Sequence, residues 1–478
     1  MVHSKEIKRF LREYVKSIQD SNAAVFAGAG LSRPAGFVDW KELLKDVAEE
    51  VGLDIDQEDD LITLAQYHVN QTGGRSKINQ ILIDEFTKKS GPTVNHKILA
   101  KLPIETYWTT NYDQLLEKSF EEEGKLIDKK ITSENLSHTV RGSDVTLYKM
   151  HGDSSLPHQA VLTKDDYMDY DKERLLFKTA LQGDLVSKTF LFIGFSFDDP
   201  NLDQVISRIH SLLNQNRRTH YCLMKKIDQS YYATKDEFDY AKVKQELKMQ
   251  NLKRYGIEVL LVDEYQDITH ILQDITLLIN RKNIFVSGSA KVYGDWSEEE
   301  AFKFSTELSK ELIRNHYNLV SGFGLGIGSC IISGALEEIY SGHSEKVEDR
   351  LISRPFPQVT TGDISQTKLW TQYREDMLSK VGIAIFIFGN KEKDGDIVDA
   401  NGMIEEFDIS ISNHVIPIPI GATGFTAKKL LDKVEEDFEK YVSVEELRPL
   451  YKKLHEKLSP KELIDIVLAI LKKLTAGL

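Results

Sequence analysis

Apolar positions near the start of the chain fall at Ile7, Phe10, Leu11, Tyr14, Val15 and Ile18, the three-and-four spacing of one helical face. The first segment, residues 1–20, therefore predicts an amphipathic helix whose apolar stripe packs on a neighbour. A continuous apolar run from Ala23 to Phe26 follows and breaks into Gly28-Ala29-Gly30 and the small hydroxyl of Ser32, the pattern of a buried strand feeding a phosphate-binding turn. Another helix begins near Trp40, where Asp39 and Glu42 have the spacing of a capping box. Short apolar runs ending in loops recur at 104–113 (IETYWTTNYD), 145–153 (VTLYKMHGD), 189–203 (TFLFIGFSFDDPNLD), from His220 (HYCLM) and from Ile257 (IEVLLV), with helical patterns between most of them. Strands that are continuously apolar, rather than alternating, predict a mostly parallel sheet covered on both faces.

Around 280–283 the pattern starts again. NIFVSGSA, YNLVSGFGLGIGS, GIAIFIFGNK and NHVIPIPIGATG are apolar runs that end in glycine or small polar residues, and they need a sheet of their own. The fold class expected is α/β: two Rossmann-like domains, 1–282 and 283–478, each a mostly parallel sheet with helices on both faces. No Gly/Ser/Pro-rich linker separates them, so direct packing is expected.

Length agrees with two domains, since 478 residues exceed what one core usually serves. With 41% hydrophobic and 28% charged residues and no low-complexity tract, the whole chain reads as globular. A formal net charge of −14 repels a phosphate backbone, which excludes nucleic acid as an expected partner but leaves room for a local basic pocket for a small anion. Charges every few residues at the N-terminus interrupt any signal peptide, and no run of about 18 apolar residues exists to span a bilayer, so no membrane partner is expected and the cytoplasm is the expected compartment. The two cysteines, Cys222 and Cys330, lie far apart in apolar segments and suit reduced, buried thiols; a four-cysteine zinc site is arithmetically excluded, and no metal is expected.

In an open parallel sheet, ligands sit beyond the carboxyl ends of the strands. Four such ends carry dinucleotide-binding chemistry. Gly28, Ala29 and Gly30 offer backbone N–H groups and Ser32 a hydroxyl for a pyrophosphate; TTNYD offers Thr110, Asn111 and Asp113; HGD offers His151; GFS offers Gly194 and Ser196. Asn111 and Asp113 have a second reading, an Asx turn that caps the helix starting at Leu115. The usual dinucleotide fingerprint is incomplete, because Arg33 stands where its third glycine belongs.

The ordered series GAGLS, GFVDW, TTNYD, HGD and GFSF resembles the sirtuin family, whose members read Gly-Ala-Gly-Ile-Ser, Gly-Ile-Pro-Asp-Phe, Thr-Gln-Asn-Ile-Asp, His-Gly and Gly-Thr-Ser in the same order. The resemblance implies an NAD site in which the nicotinamide glycosidic bond is broken. Sirtuin deacylases carry a four-cysteine zinc module that helps form the acyl-lysine groove; this chain lacks the cysteines, so the implied branch is the bacterial sirtuin-like NADases, with water as nucleophile. The implied catalytic residues are Asn111, orienting water or ribose, and His151, as base or ribose-hydroxyl partner, with Asp113 fixing Asn111 or offering negative charge. Asp39 matches the aspartate of the second landmark and faces the nicotinamide pocket on that reading; on the other it only caps its helix.

SGSA brings Gly288 and Ser289, and SGFGLGIGS brings Gly322 and Gly324, to strand ends, the latter just before a helix. From Asn283 on, the chain resembles the SLOG superfamily, related to the LOG phosphoribohydrolases: Arg374 in TQYREDM sits where those enzymes hold an arginine, and Glu406 in GMIEEF sits where they read Gly-Thr-X-X-Glu. Their paired glycines are replaced by Asn390-Lys391 with an insertion behind, and their threonine by Met403, which speaks against catalysis. The resemblance implies a binder of a charged nucleotide, with Arg374 and Lys391 on phosphates, Glu406 on ribose hydroxyls, Gly288, Ser289, Gly322 and Gly324 at the diphosphate, and Gly421 and Thr423 of GATG nearby. Arg374 and Lys391 also fit plain solvated charges on a helix and a loop.

A sirtuin-like NADase followed by a SLOG domain is similar to the effector family of the Thoeris anti-phage system. This implies an NAD+ hydrolase of abortive infection, making nicotinamide and ADP-ribose, activated by a cyclic ADP-ribose isomer that a TIR-domain partner produces and the SLOG domain senses. It also implies a homo-oligomer, commonly a tetramer, to whose packing the N-terminal helix contributes. One alternative is a SLOG-domain phosphoribohydrolase using Arg374 and Glu406, with the first domain an NAD sensor. Another makes both halves nucleotide-binding modules for a partner, against which stands the joint presence of Asn111 and His151.

Overall fold

The apolar runs of the first half become, in the computed structural model, strands β1 (Ala23–Ala27), β2 (Thr106–Thr109), β3 (Ile127–Lys130), β4 (Val145–Lys149), β5 (Thr189–Ile193), β6 (His220–Lys225) and β7 (Ile257–Val262). The structure describes residues 3–475 except 39, 89, 198, 214–217, 343–345, 358–364 and 443. The seven strands form one sheet in the order β3-β4-β2-β1-β5-β6-β7, every adjacent pair parallel. Central β1 and β5 are buried along their whole length, as a parallel sheet covered on both faces requires. The chain builds from β1 toward β2, β4 and β3 on one side, then from β5 toward β6 and β7 on the other, so the strand order reverses at β1 and β5, the switch point at whose carboxyl side such sheets bind ligands.

The N-terminal helix spans Lys5–Gln19 and starts at Ser4, whose Oγ accepts the Ile7 N–H at 3.3 Å. Its six apolar positions are all buried, each contributing roughly 1.5–3 kcal/mol on leaving water. Phe10 packs its ring on Tyr221 of β6 and the Tyr14 hydroxyl donates to the Ala24 carbonyl of β1 at 2.9 Å, so the stripe covers the sheet of its own unit. Edge strand β3, IDKK, has no apolar run because it is mostly charged; Lys130 and Asp128 are nonetheless buried and paired at 2.9 Å, and the Lys130 ammonium also donates to the Asn135 carbonyl at 2.9 Å.

The chain divides into two compact units, Met1–Thr276 and Leu277–Leu478. The second contains β8 (Asn283–Ser289), β9 (Asn318–Ser321), β10 (Leu351–Ser353), β11 (Ile383–Phe388), a hairpin of β12 (Asn390–Lys393) and β13 (Asp396–Asp399), and β14 (Ile416–Pro419). Five strands form a parallel sheet ordered β10-β9-β8-β11-β14, so here the strand order reverses between β8 and β11. The short edge strand β10 also went unexpected. The insertion behind Asn390-Lys391 is the antiparallel hairpin, turned by Asp394 and Gly395 at φ of 54° and 89°, the Asp-Gly pair that a tight two-residue turn favours. Both cysteines are free; Cys222 is buried, but Cys330, expected to be buried, is only partly so. Among the described residues no helix is long and apolar enough to cross a membrane, and no group of three or more His, Cys, Asp or Glu could hold a metal ion.

Candidate functional site

Register brings the first set of candidates to one sheet end. Ala27 of β1 lies opposite Thr109 of β2 and Ile193 of β5, and Thr109 lies opposite Lys149 of β4. Asn111 and His151, each two positions beyond its strand, therefore leave the sheet side by side, with the Gly28 turn and Gly194 on the adjoining strands.

The glycines serve the meeting of two loops. A Cβ on Gly28 would lie 2.4 Å from the Gly194 carbonyl oxygen, one on Gly30 would lie 2.9 Å from Gly194 Cα, and one on Gly194, at φ +64°, would lie 2.3 Å from the Leu31 nitrogen. The Gly28 N–H donates to the Ile193 carbonyl at 2.9 Å and the Gly30 N–H to the Gly194 carbonyl at 2.8 Å, so two N–H groups expected to face a pyrophosphate are spent on β5 and its loop. Ala29 is exposed at the start of a short helix, Ala29–Ser32, Ser196 is exposed, and Ser32 is buried.

The Asn111 amide donates to the Gly28 carbonyl at 3.1 Å and to Ser32 Oγ at 3.2 Å, while its backbone N–H donates to Thr109 Oγ1 at 2.9 Å. Both amide protons are thus engaged, and among the described residues no donor reaches Oδ1, the acceptor that Asn111 has left for a ligand. Neighbouring Thr110 is half-buried. Asp113 accepts the Leu115 N–H at 3.0 Å, the Asx turn that opens the helix Leu115–Glu122, and makes no hydrogen bond to the Asn111 side chain. Asp39 lies outside the described residues.

Beneath these loops lies a buried ammonium that the sequence patterns did not single out. Lys149 donates to the carbonyls of Tyr112, at 3.4 Å, and Asp113, at 2.5 Å, to Glu117 Oε1 at 3.0 Å, and to Asp153. Burial works against its charge, but the carboxylates of Glu117 and Asp153 outweigh burial and raise its pKa. Burial likewise pushes the Asp153 carboxyl up, yet Lys149 and Ser155 hold it well below the ordinary carboxylate range. One cation thereby ties the Asn111 loop to the His151 loop.

His151 is 2% exposed and lies edge-on to the rings of Tyr167 and Tyr170, with centroids 5.6 and 6.2 Å away. Its Nε2 is 3.0 Å from Asp199 Oδ2 and makes no hydrogen bond among the described residues. Asp199 accepts the N–H groups of Asn201 at 2.9 Å and Leu202 at 3.0 Å through Oδ1, at the start of the helix Pro200–Leu213, and the Tyr167 hydroxyl at 3.5 Å through Oδ2. Burial raises the Asp199 carboxyl, but His151 and the two N–H groups outweigh it and hold the pKa below its ordinary value. In the segment GFSFDDPNLD the signal for this aspartate is an acidic residue just ahead of a proline that starts a helix, which is missed when only glycines and small hydroxyls at strand ends are weighed.

In the second unit the glycine loop after β9 presses on β8: a Cβ on Gly324 would lie 1.8 Å from the Gly288 carbonyl oxygen, and one on Gly322 would lie 2.5 Å from the Phe356 ring. Ser289 Oγ donates to the Asn390 carbonyl at 3.4 Å. Asn390, standing where the related enzymes have glycine, is 1% exposed and clamps the loop after β8, accepting the N–H groups of Lys291 and Val292 at 2.9 and 3.0 Å and donating to the Val292 carbonyl at 2.8 Å. Thr423 accepts the Phe388 N–H at 2.7 Å and donates to the Ile420 carbonyl at 2.7 Å, and a Cβ on Gly421 would meet the His455 ring at 2.9 Å.

Arg374 and Glu406 do come together, from the helices Gln366–Leu378 and Asn401–Ser412. Arg374 is buried rather than solvated, its guanidinium 4.8 Å over the Phe356 ring, with Nη1 2.9 Å from Glu405 Oε2 and Nε 3.4 Å from Glu406 Oε1. Thr371 and Ser287 hydroxyls, each at 2.5 Å, hold the other oxygens of Glu405 and Glu406. Burial raises the Glu406 pKa, and Ser287 and Arg374 only partly oppose it. Lys391 is exposed on the hairpin.

Two parallel sheets with loops gathered at their switch points define a two-domain protein, a SIR2-like unit followed by a SLOG-type unit. Residues 105–260 match the SIR2-like domain family, and residues 267–474 match the Sir2- and TIR-associating SLOG family. The NAD(+) hydrolase ThsA of Bacillus cereus (strain MSX-D12) is 47% identical over 466 residues, 97% of each chain. That of Acinetobacter baumannii (strain 532279) is 46% identical over 476 residues, 98% of this chain and 99% of the relative, and that of Cytobacillus dafuensis 46% identical over 451 residues, 93% and 91%. The chain belongs to the ThsA family.

Proposed function

We propose that the first unit hydrolyses NAD+ to nicotinamide and ADP-ribose in an anti-phage defence system, and that the second unit switches it on by binding a cyclic ADP-ribose isomer. The observation that carries the hydrolase reading is the pairing, at the ends of adjacent β2 and β4, of an asparagine with an open acceptor and a buried histidine, beside the strand-order switch at β1 and β5. Near full-length identity to relatives named NAD(+) hydrolases supports it.

Nicotinamide leaves as a neutral ring from a cationic one, so departure needs no general acid. The site has to hold the ribose, tolerate oxocarbenium character and aim a water. Asn111 Oδ1 accepts a hydrogen bond from that water or from a ribose hydroxyl. As the bond from ribose C1′ to the pyridinium nitrogen breaks and its electron pair stays on nicotinamide, water forms the new C1′–O bond and passes a proton to His151, which releases it to solvent. Positioned proton transfer of this kind typically contributes about 10²- to 10⁴-fold.

For the second unit, Arg374 beside Glu405 and Glu406 supports a nucleotide pocket in which an anionic ligand competes with internal carboxylates for one guanidinium. The matched family's description, Sir2- and TIR-associating, supports a TIR-domain partner as the source of the signal. The assembly proposed is a homo-oligomer, a tetramer, acting in the cytoplasm. Purified chain incubated with NAD+, with and without cyclic ADP-ribose isomers, tests the reading: nicotinamide release that rises with one isomer is expected, whereas loss of a base from a nucleoside monophosphate with NAD+ left intact would replace it by a phosphoribohydrolase.

A further inference from the structure

We propose that Asp199 is a positioning residue for His151: it fixes the imidazole with Nε2 toward Oδ2 and balances the charge that the ring acquires on taking a proton. The inference rests on the NAD-hydrolase reading and assigns a residue to it.

Three observations carry it. First, the two oxygens of Asp199 divide their work. Oδ1 is held by the N–H groups of Asn201 and Leu202, which immobilises the carboxylate, and Oδ2, which also accepts the Tyr167 hydroxyl at 3.5 Å, faces His151 at 3.0 Å. Second, the contact is long-range in the sheet. Asp199 follows β5 and His151 follows β4, which stand three places apart, about 14 Å at roughly 4.8 Å per strand. The connection after β5 has to cross the ends of β1 and β2 to make the contact, and capping a helix demands no such crossing. Third, the side chains of both partners are nearly closed to solvent, 3% exposed for His151 and 9% for Asp199. A carboxylate so placed is costly unless it is paired, and its partners here are the imidazole, the Tyr167 hydroxyl and two backbone N–H groups.

Tyr167 and Tyr170 pack against the ring in T-shaped contacts but carry no charge to orient it. Asp199 supplies that charge. With Nε2 facing the carboxylate, Nδ1 is the nitrogen left to receive the proton from water, and the imidazolium then formed has its counter-ion already in place, with no reorganisation required during the step.

Asp199→Asn separates this role from helix capping, because asparagine caps as well as aspartate and keeps the shape while removing the charge. The measurement is kcat and KM for NAD+ on the full chain, with and without cyclic ADP-ribose, alongside thermal melting. Expected are melting with the wild type, KM within about threefold, and kcat lowered by roughly 10²-fold or more, of the order seen for positioned acid–base groups. Unchanged kcat in an active wild-type background overturns the inference and leaves the hydrolase reading standing. A rate that rises in Asp199→Asn also overturns it, by making Asp199 a latch on His151. A wild-type chain that releases no nicotinamide under either condition overturns the hydrolase reading itself.

Discussion

The Lys149 ammonium, at the end of β4, donates at 2.5 Å to the backbone carbonyl of Asp113 in the loop that carries Asn111. A fully buried cation therefore sets the height of one candidate catalytic loop relative to the other, and its charge is met by Glu117 and Asp153. Breaking such a pair from one side leaves the other charge buried and uncompensated. Lys149→Met is expected to lower unfolding free energy by about 3–5 kcal/mol. Denaturant unfolding checks this; a loss under 1 kcal/mol would mean that the cluster reorganises freely, on the same scale of reasoning.

Asp153 makes a pH prediction with a definite sign. Its folded-state pKa lies below its ordinary value of 3.8, so the stability it contributes is fully present above that value and is lost as pH falls through the depressed folded value. Acid unfolding of the wild type, compared with Asp153→Asn, should show a stability difference that is constant near neutrality and shrinks only in the acid range. A difference that grows as the solution is acidified would reverse the assignment.

Asn111→Ala and His151→Ala are each expected to abolish NAD+ turnover without unfolding the chain. Asn111→Asp should fail as well, since a carboxylate would face the Gly28 carbonyl that the amide now donates to. Ser32→Ala removes only one of the two acceptors of that amide and should lose less, about tenfold for a single neutral hydrogen bond. Nicotinamide release measured beside circular dichroism decides the matter, and near-normal turnover in Asn111→Ala or His151→Ala would remove that residue from the machinery.

Gly194 and Gly36 form a matched pair for the cost of the loop contact. Both have positive φ, +64° and +90°, but a Cβ on Gly194 would lie 2.3 Å from the Leu31 nitrogen and one on Gly36 would meet nothing within 4 Å. Gly36→Ala should cost only the backbone term, roughly 1–2 kcal/mol. Gly194→Ala should cost more than that and reduce turnover, because the β1 turn that holds Asn111 has to move. Equal losses in melting temperature would show that the loops yield easily.

Arg374→Ala and Lys391→Ala are expected to abolish activation by a cyclic ADP-ribose isomer while leaving basal hydrolysis in place. Their effects on stability should differ. Arg374→Ala leaves Glu405 and Glu406 without their shared cation, whereas Lys391 is exposed, so only the first variant should melt early. Calorimetry with the wild type and both variants checks binding, and an Arg374→Ala chain that still responds normally would move the sensing site elsewhere.

Local patterns carried much of this protein. The helix Lys5–Gln19 buries the six positions its periodicity marks, because a helical face repeats every three to four residues whatever the chain does elsewhere. Runs such as AAVFA, TFLFI and IAIFIF announce central parallel strands because only a strand covered on both faces is apolar throughout. The ordered landmarks around Gly28, Asn111, His151 and Gly194 were legible as well, since strand ends in this class of sheet are where ligand-binding residues collect.

What escaped depended on partners distant in sequence. β3 has no apolar run, because an edge strand is held by its neighbour and by the Lys130–Asp128 pair, and β10 is too short to leave a pattern. The spent N–H groups of Gly28 and Gly30 follow from β5 lying beside β1, a matter of strand order that no periodicity encodes. The same holds for Arg374, whose charge is met by Glu405 across two helices, and for Asp199, which reaches His151 only because the chain crosses two intervening strands. Sequence by itself determined the elements, their order and the residue types at the strand ends, because these depend on near neighbours; tertiary structure alone decided which charges and donors meet, because a buried group takes its partner from whatever the packed sheet places within a few ångströms.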